Sequence, residues 1–326
     1  MTIDVPLIDL EPWFEGSEDD RLAIAKLVDA HLQRCGFLIV TNHRVPQDVI
    51  DACRNETRTF FHESAEAKAE VAMQPGPYRG WVGPGLESNA ATYGVDTLPD
   101  LKEGFSFGPV DVADENLRIE EPDFYGSNVW PSSPTGFRSA CEAYWRSARE
   151  LHDELLDILS LALDEPLTTL RDLSASPTAN VTINWYGPRE ANEPEPNQFR
   201  VGPHTDFGLL TVLDREACAA GLQIKDQEGN WVDAPNVPGS LTINTGDLVR
   251  RWTNDRWCSN EHRVLPPPIE EPTQEMISLV YFGEPTYDTM VETFDSCVSE
   301  DNPAKYPPIL SRAYLDEKMA ALLVES

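Results

Sequence analysis

The chain has 326 residues, 40% of them hydrophobic, and 56 acidic against 25 basic side chains leave a formal net charge of −31. That length allows one large core or two ordinary ones, while the acidity repels nucleic acid and anionic membranes, so neither is an expected partner. No apolar run approaches the roughly 20 residues of a membrane helix, and the acid-bearing "MTIDVPLIDLEPWFEG" lacks the basic-then-apolar pattern of a secretory leader, so a cytoplasmic protein is expected. The first predicted element is a helix in "DRLAIAKLVDAHLQRC", whose apolar residues recur at helical spacing and whose end falls at Gly36, a plausible C-cap. "GFLIVTNH" then reads as a short buried strand. "PQDVIDACRNETRTFFHES" reads as an amphipathic helix with a proline near its first turn.

From about Pro75 to Pro134 the chain is rich in Gly, Pro and acids and reads as long loops with a few short elements. A long helix fits "SPTGFRSACEAYWRSARELHDELLDILSLALDE", with apolar positions three and four apart. After Thr178 the texture changes to short β-branched runs divided by turn residues: "NVTINWYG", "GLLTVL", "GLQIKD", "NWVDA", "SLTINT", "HRVLP" and "MISLVYFG". Many short strands at this spacing indicate a sandwich or barrel, and "KDQEGNWVDA" a hairpin with Glu228, Gly229 and Asn230 at its tip. The tail "ILSRAYLDEKMAALLVES" returns to helical period. With no repeat and no clean linker, a single unit is expected, helices packed on a β-sandwich. The six cysteines, Cys35, Cys53, Cys141, Cys218, Cys258 and Cys297, are scattered without CxxC spacing and read as reduced thiols. The spread of the acids fits either a salt-adapted surface or simply an acidic enzyme.

Chemistry concentrates in "VGPHTDFGLLTVL". His204 and Asp206 stand two apart, and on a strand such residues share a face. An imidazole and a carboxylate need one further imidazole to make a two-His, one-carboxylate metal face with open positions. His31, His43, His62 and His152 lie in the helical half. His262, in "SNEHRVLP", lies on a predicted strand of the β-half, 56 residues beyond Asp206, and is the natural third ligand. Zinc would accept the same trio, though it usually prefers a closed tetrahedral shell or a hydrolytic water.

The order of the motifs resembles the isopenicillin N synthase-like branch of the iron(II)/2-oxoglutarate-dependent oxygenases, nearly end to end. "VPLIDL", "CGFLIVTNHRVP", "FFHESAEAKAEVAM" and "YRGWVG" come first, then "DLKEGFSFG", "NVWP" and "NWYGP". "HTDFGLLTVL", "GLQIKDQEGNWVDAPNVPGSLTINTGDLVRRWTND" and "HRV" follow. The resemblance implies an α+β chain with a mainly β core, a double-stranded β-helix (jelly-roll) flanked by N-terminal, central and C-terminal helices. Within the single unit 1–326, it implies an N-terminal region over 4–125, the jelly-roll over 178–286 and a terminal helix over 307–326. It further implies Fe(II) held by His204, Asp206 and His262, 2-oxoglutarate decarboxylated to succinate, and O2 as cosubstrate. A small-molecule substrate would be hydroxylated, desaturated or cyclised. Asn184 and Tyr186 would reach the cosubstrate, and by residue type both can donate to carboxylate oxygens.

The family's Arg-x-Ser pair, which grips a carboxylate, maps onto "MISLVYFGEP". Ser278 is in place, but Met276 occupies the arginine position. A hydrogen bond to a charged group contributes about 1.5–3 kcal/mol, or about one to two decades in affinity. Either another cation serves, or the cosubstrate differs, or it binds weakly through Tyr186 and Ser278. Arg200, four residues before His204, is a candidate cosubstrate cation. Arg263 should face away from the metal, and Arg250 and Arg251 fit salt bridges or the pocket mouth. Met276 leaves an Fe(II) oxidase that needs no 2-oxoglutarate as the alternative enzyme, and a silent binding or sensory jelly-roll as the alternative class. Trp81, Tyr93, Phe105, Phe107 and Phe282 could wall the pocket, but each reads first as core.

Overall fold

The computed structural model describes residues 5–76, 78–94, 98–189, 193–219 and 221–322, with only the backbone of Tyr93. Its first long helix, Glu18–Arg34, begins at Ser17. The Ser17 hydroxyl accepts from the Asp20 amide while the Asp20 carboxylate accepts from the Ser17 amide, which satisfies two of the helix's orphan donors. It terminates where the sequence indicates, at Gly36, with φ at +66°. A Cβ at that position would run into the Cys258 carbonyl oxygen. Gly36→Ala is therefore expected to cost about 2–4 kcal/mol, from left-handed strain plus the clash, seen as a lower urea midpoint at unchanged slope.

Among the described residues, twelve strands build two facing sheets. In chain order they are β1 Leu7–Asp9, β2 Phe37–Thr41, β3 Gly80–Val82, β4 Glu103–Phe107, β5 Asn180–Tyr186 and β6 Val201–His204. They continue with β7 Leu210–Arg215, β8 Leu222–Lys225, β9 Trp231–Asp233, β10 Leu241–Thr245, β11 His262–Val264 and β12 Met276–Gly283. The large sheet has the order β1-β2-β10-β7-β12-β5-β4-β3, and the small one β6-β11-β8-β9. Non-consecutive neighbours in both sheets make the double-stranded β-helix expected from the resemblance, with helices around it. The β8–β9 hairpin turns as anticipated, Gly229 taking φ +85° and its amide bonding the Asp226 carbonyl at 3.0 Å.

Alternation along the large sheet decides what each face does. Val181 and Ile183 of β5 and Ile277, Leu279 and Tyr281 of β12 enter the core shared with the helices Gln47–Phe61 and Phe137–Ala162. Tyr144 of the long helix ties that face down by donating to the Leu279 carbonyl at 3.1 Å. The intervening residues Asn180, Thr182, Asn184 and Tyr186, with Ser278, Val280 and Phe282, face inward and line a cavity of about 300 Å³. The helix Ser311–Leu322 contributes Leu315, Asp316, Met319 and Leu322 to its wall. Among the described residues no helix is long and apolar enough to cross a membrane.

Among the few short elements expected between Pro75 and Pro134 is β4, a wholly buried member of the large sheet. Its Gly, Glu and Ser interrupt any apolar run, yet Phe105 and Phe107 reach the core, and Glu103 is satisfied by Lys68 at 2.6 Å and Trp81 at 2.8 Å. One local expectation needs correction: β6 stops at His204, so Asp206 stands in the turn to β7 and not on a strand beside the histidine. The Asp247 amide bonds the Asp206 carbonyl at 2.9 Å and holds that turn against the short helix Asp247–Trp252.

Candidate metal centre and cosubstrate pocket

His204 and His262 are direct partners across the antiparallel β6–β11 pair, with ring centroids 4.2 Å apart. Their Nε2 atoms lie 3.7 and 3.6 Å from one oxygen, Asp206 Oδ1, and all three side chains are buried. The histidines are oriented from behind. His204 Nδ1 meets the Gly202 carbonyl at 2.8 Å and His262 Nδ1 meets the Asn260 carbonyl at 3.2 Å. A carbonyl only accepts, so each Nδ1 carries a proton and each Nε2 is the ring nitrogen turned toward Asp206. Burial first, and then the neighbouring His262, push the His204 imidazole down to about 3, so it is neutral at physiological pH.

Asp206 is aimed by two residues that the sequence reading did not single out. Its Oδ2 accepts from the Thr211 hydroxyl and from Asn244 Nδ2, the latter at 2.6 Å. Oδ1 is thereby left to face the imidazoles. Thr211 and Asn244 are opposite each other in the β7–β10 register, so the sheet itself sets the carboxylate's orientation. Two imidazole nitrogens and one carboxylate oxygen, all within 4.8 Å of one another, are the donor types of a non-haem Fe(II) face. Asn244→Ala should weaken Fe(II) binding about 10- to 100-fold, measured by anaerobic metal titration, because an outer partner of a ligand is lost while the ligands stay.

Along the same cavity wall, register places Asn184 opposite Ser278 and Tyr186 opposite Met276. Ser278 Oγ and Tyr186 Oη are 3.4 Å apart, and both residues are buried. Met276 is not a cavity residue; it packs in the apolar layer with Val201 and Leu222. Arg200 is buried too, but its guanidinium donates to the Gly187 and Gln274 carbonyls at 3.1 and 3.0 Å and stacks 5.5 Å from the Tyr186 ring centre. The structure does not bring it to the cavity lining. Arg263 faces away, as expected, donating to Gln223 and covering Trp231. Arg250 pairs with Asp255, and Arg251 donates to the Pro307 carbonyl.

The cation that does face this part of the cavity is Lys102, which sequence reasoning does not single out. It immediately precedes β4, and the β4–β5 register, with Gly104 opposite Asn184, continues to put Lys102 opposite Tyr186. Lys102, Tyr186 and Met276 thus form one row across three neighbouring strands. Lys102 Nζ donates to Asn184 Oδ1 at 3.0 Å and to Glu87, which leaves its third proton uncommitted. Burial disfavours its charge, but Glu87 and Asp100 outweigh that and raise its pKa, so it remains a cation. The signal lies in "DLKEGFSFG", a lysine one step before an alternating stretch, hidden because the Gly and Pro around it read as loop. Of the proposed wall residues, Phe282 lines the cavity, whereas Phe105 and Phe107 are wholly buried and Trp81 packs on their core. The Tyr93 side chain lies outside the described residues.

Comparison with known proteins agrees with this geometry. Residues 5–133 match the family described as non-haem dioxygenase in morphine synthesis N-terminal, and residues 178–285 match the 2OG-Fe(II) oxygenase superfamily. The validamycin A dioxygenase of Streptomyces hygroscopicus subsp. limoneus is 34% identical over 285 residues, spanning 86% of this chain and 77% of its own. The homoarginine-6-hydroxylase 2-ODD-C23 of Glycine max is 29% identical over 90% of this chain and 88% of its own. Among solved structures, a full-length Neurospora crassa protein in complex with alpha-KG and thymine superposes with a TM-score of 0.85 at 27% identity. That match covers 97% of this chain and 96% of the Neurospora chain. Fold, donor set and sequence similarity converge: the chain belongs to the 2OG-Fe(II) oxygenase superfamily, and is an oxidoreductase that uses Fe(II), 2-oxoglutarate and O2.

Proposed function

We propose that this oxygenase oxidises a small-molecule substrate at an Fe(II) held by His204, Asp206 and His262. The observation that carries the reading is the convergence of two Nε2 atoms on Asp206 Oδ1 inside the cavity. When bound, Fe(II) with 2-oxoglutarate and O2 supplies the oxidising chemistry, the keto acid being decarboxylated to succinate. The chain's own groups bind and orient. Asn244 and Thr211 hold Asp206, and the Gly202 and Asn260 carbonyls hold the imidazoles. Lys102, Tyr186 and Ser278 receive the far carboxylate of 2-oxoglutarate, and Asn184 steadies the Lys102 ammonium. Arg200 backs the Tyr186 ring and does not line the cavity, so its place in the cosubstrate site is indirect.

Lys102 supplies a cation from two strands away, in the row that Met276 would have served. That removes the motive for an oxidase independent of 2-oxoglutarate, and the complete donor set argues against a silent jelly-roll. Relatives named for validamycin A, homoarginine and proline, and a solved neighbour bound to thymine, support a small-molecule substrate. The test is anaerobic addition of 2-oxoglutarate to the Fe(II)-loaded protein. A weak visible charge-transfer band and, on admitting O2, succinate are expected; neither band nor succinate would overturn the reading.

A further inference from the structure

The cavity also holds two buried ionisable side chains, one acidic and one basic, that have no counter-ion among the described residues. Glu284 directly follows β12, is only 7% exposed, and its Oε2 has no hydrogen-bond partner. Its carboxylate abuts Gly208, since a Cβ on that glycine would collide with it, and so it lies two residues from Asp206 along the chain. Arg79 directly precedes β3 and is only 6% exposed. It donates to the Tyr78 carbonyl at 2.9 Å and the Phe124 carbonyl at 2.6 Å, contacts no carboxylate, and leaves Nε unpartnered. Both residues line the cavity.

Their position separates them from the cosubstrate groups. Inward-facing rows run across β4, β5 and β12 from Lys102 and Tyr186, through Gly104, Asn184 and Ser278, then Ser106, Thr182 and Val280, to Asn180 and Phe282. Lys102 marks one end of this series. Glu284 stands one step beyond Phe282 at the other end, and Arg79 lies over Gly108, the residue after β4 that continues the Asn180 and Phe282 row. Asp206, through Thr211, meets the wall beside Phe282, which pairs with Thr211. The proposed metal centre therefore stands at the Arg79 and Glu284 end of this series, and the cosubstrate groups reach toward it from the Lys102 end.

A buried charge without a partner is costly, and it is tolerated where a ligand supplies the partner. Building on the function proposed above, we propose that this end of the cavity selects an amphoteric substrate, a basic nitrogen received by Glu284 and an anionic group received by Arg79. Burial, followed by Asp206 and Asp247, pushes the Glu284 carboxyl well above its usual range, the situation a substrate cation would relieve. Arg79 attaches ahead of β3 and Glu284 after β12, with β4 and β5 between them, and three strand spacings amount to about 14 Å. The two charged groups therefore belong at the ends of a chain of several bonds, not on one carbon.

The test uses the Fe(II)- and 2-oxoglutarate-loaded protein without O2, and calorimetric titration with 6-aminohexanoate, hexanoate, pentane-1,5-diamine and glycine. The expected result is 6-aminohexanoate binding about tenfold or more tightly than the other three, the scale of one charged hydrogen bond. Glu284→Gln should reduce 6-aminohexanoate to the level of hexanoate, and Arg79→Gln to that of the diamine, while Arg79→Lys restores part of the preference. No preference for 6-aminohexanoate in the unmodified protein, including no binding of any probe at millimolar concentration, overturns the inference. So does a preference that survives both neutral substitutions. The charge-transfer band on adding 2-oxoglutarate reports the underlying reading separately. Its absence defeats the oxygenase assignment, whereas its presence without amphoteric selectivity defeats only the substrate class.

Discussion

His204→Ala, Asp206→Ala and His262→Ala are each expected to abolish iron retention and, with it, 2-oxoglutarate turnover. The scale follows from ligand count. Four-ligand structural zinc sites bind with about 10–16 kcal/mol, or about 3 kcal/mol for each ligand, so removal of one ligand costs about two decades in affinity or more. The proposed site has three protein ligands, and among the described residues no other cluster of three or more His, Cys, Asp or Glu could hold a metal. Iron content after anaerobic loading and desalting is the direct measurement, with succinate release as the second. Full activity in any of the three would refute its place in the triad. Asn244→Ala provides the graded comparison, because it weakens iron binding while leaving all three ligands in place.

Lys102→Met is expected to raise the 2-oxoglutarate concentration needed for half-maximal band intensity about 10- to 100-fold, with iron content unchanged. One charge-assisted hydrogen bond is lost while the Tyr186 and Ser278 hydroxyls remain. The decisive companion is Lys102→Met combined with Met276→Arg. Met276 shares the Lys102–Tyr186 row, so an arginine there would present its planar fork to the same carboxylate from the other side of Tyr186. Recovery of 2-oxoglutarate affinity in the double variant would assign the row to the far carboxylate. A Lys102→Met protein that binds 2-oxoglutarate as tightly as the unmodified one would remove Lys102 from that role. Glu87, which shares the Lys102 ammonium, also accepts from the Tyr78 hydroxyl and is not left bare by the substitution.

Much of the β-half was legible because alternation is a local code. Val181 and Ile183 against Asn184 and Tyr186, and Ile277 and Leu279 against Ser278, announce which side of the strand meets helices and which meets the cavity. The same code failed over β4, where Gly104 and Ser106 stand at inward positions and no apolar run marks the strand. It also misplaced Asp206, whose nearness to His204 comes from a turn that the Asp247 amide holds, not from a shared strand face.

The amino-acid sequence by itself determined the kind of chemistry. One imidazole and one carboxylate two residues apart, a second imidazole in the β-half and an ordered set of family motifs sufficed for Fe(II), the jelly-roll and 2-oxoglutarate. Tertiary structure alone decided how the site is completed. Lys102 reaches Asn184 across 82 residues of chain, and Asn244 reaches Asp206 across 38. Neither pairing leaves a local trace, because sheet register, not spacing along the chain, brings these groups together. The unpaired Arg79 and Glu284 are more remote still from any local pattern. Each looks like an ordinary charged residue until burial strips away the water that would have satisfied it.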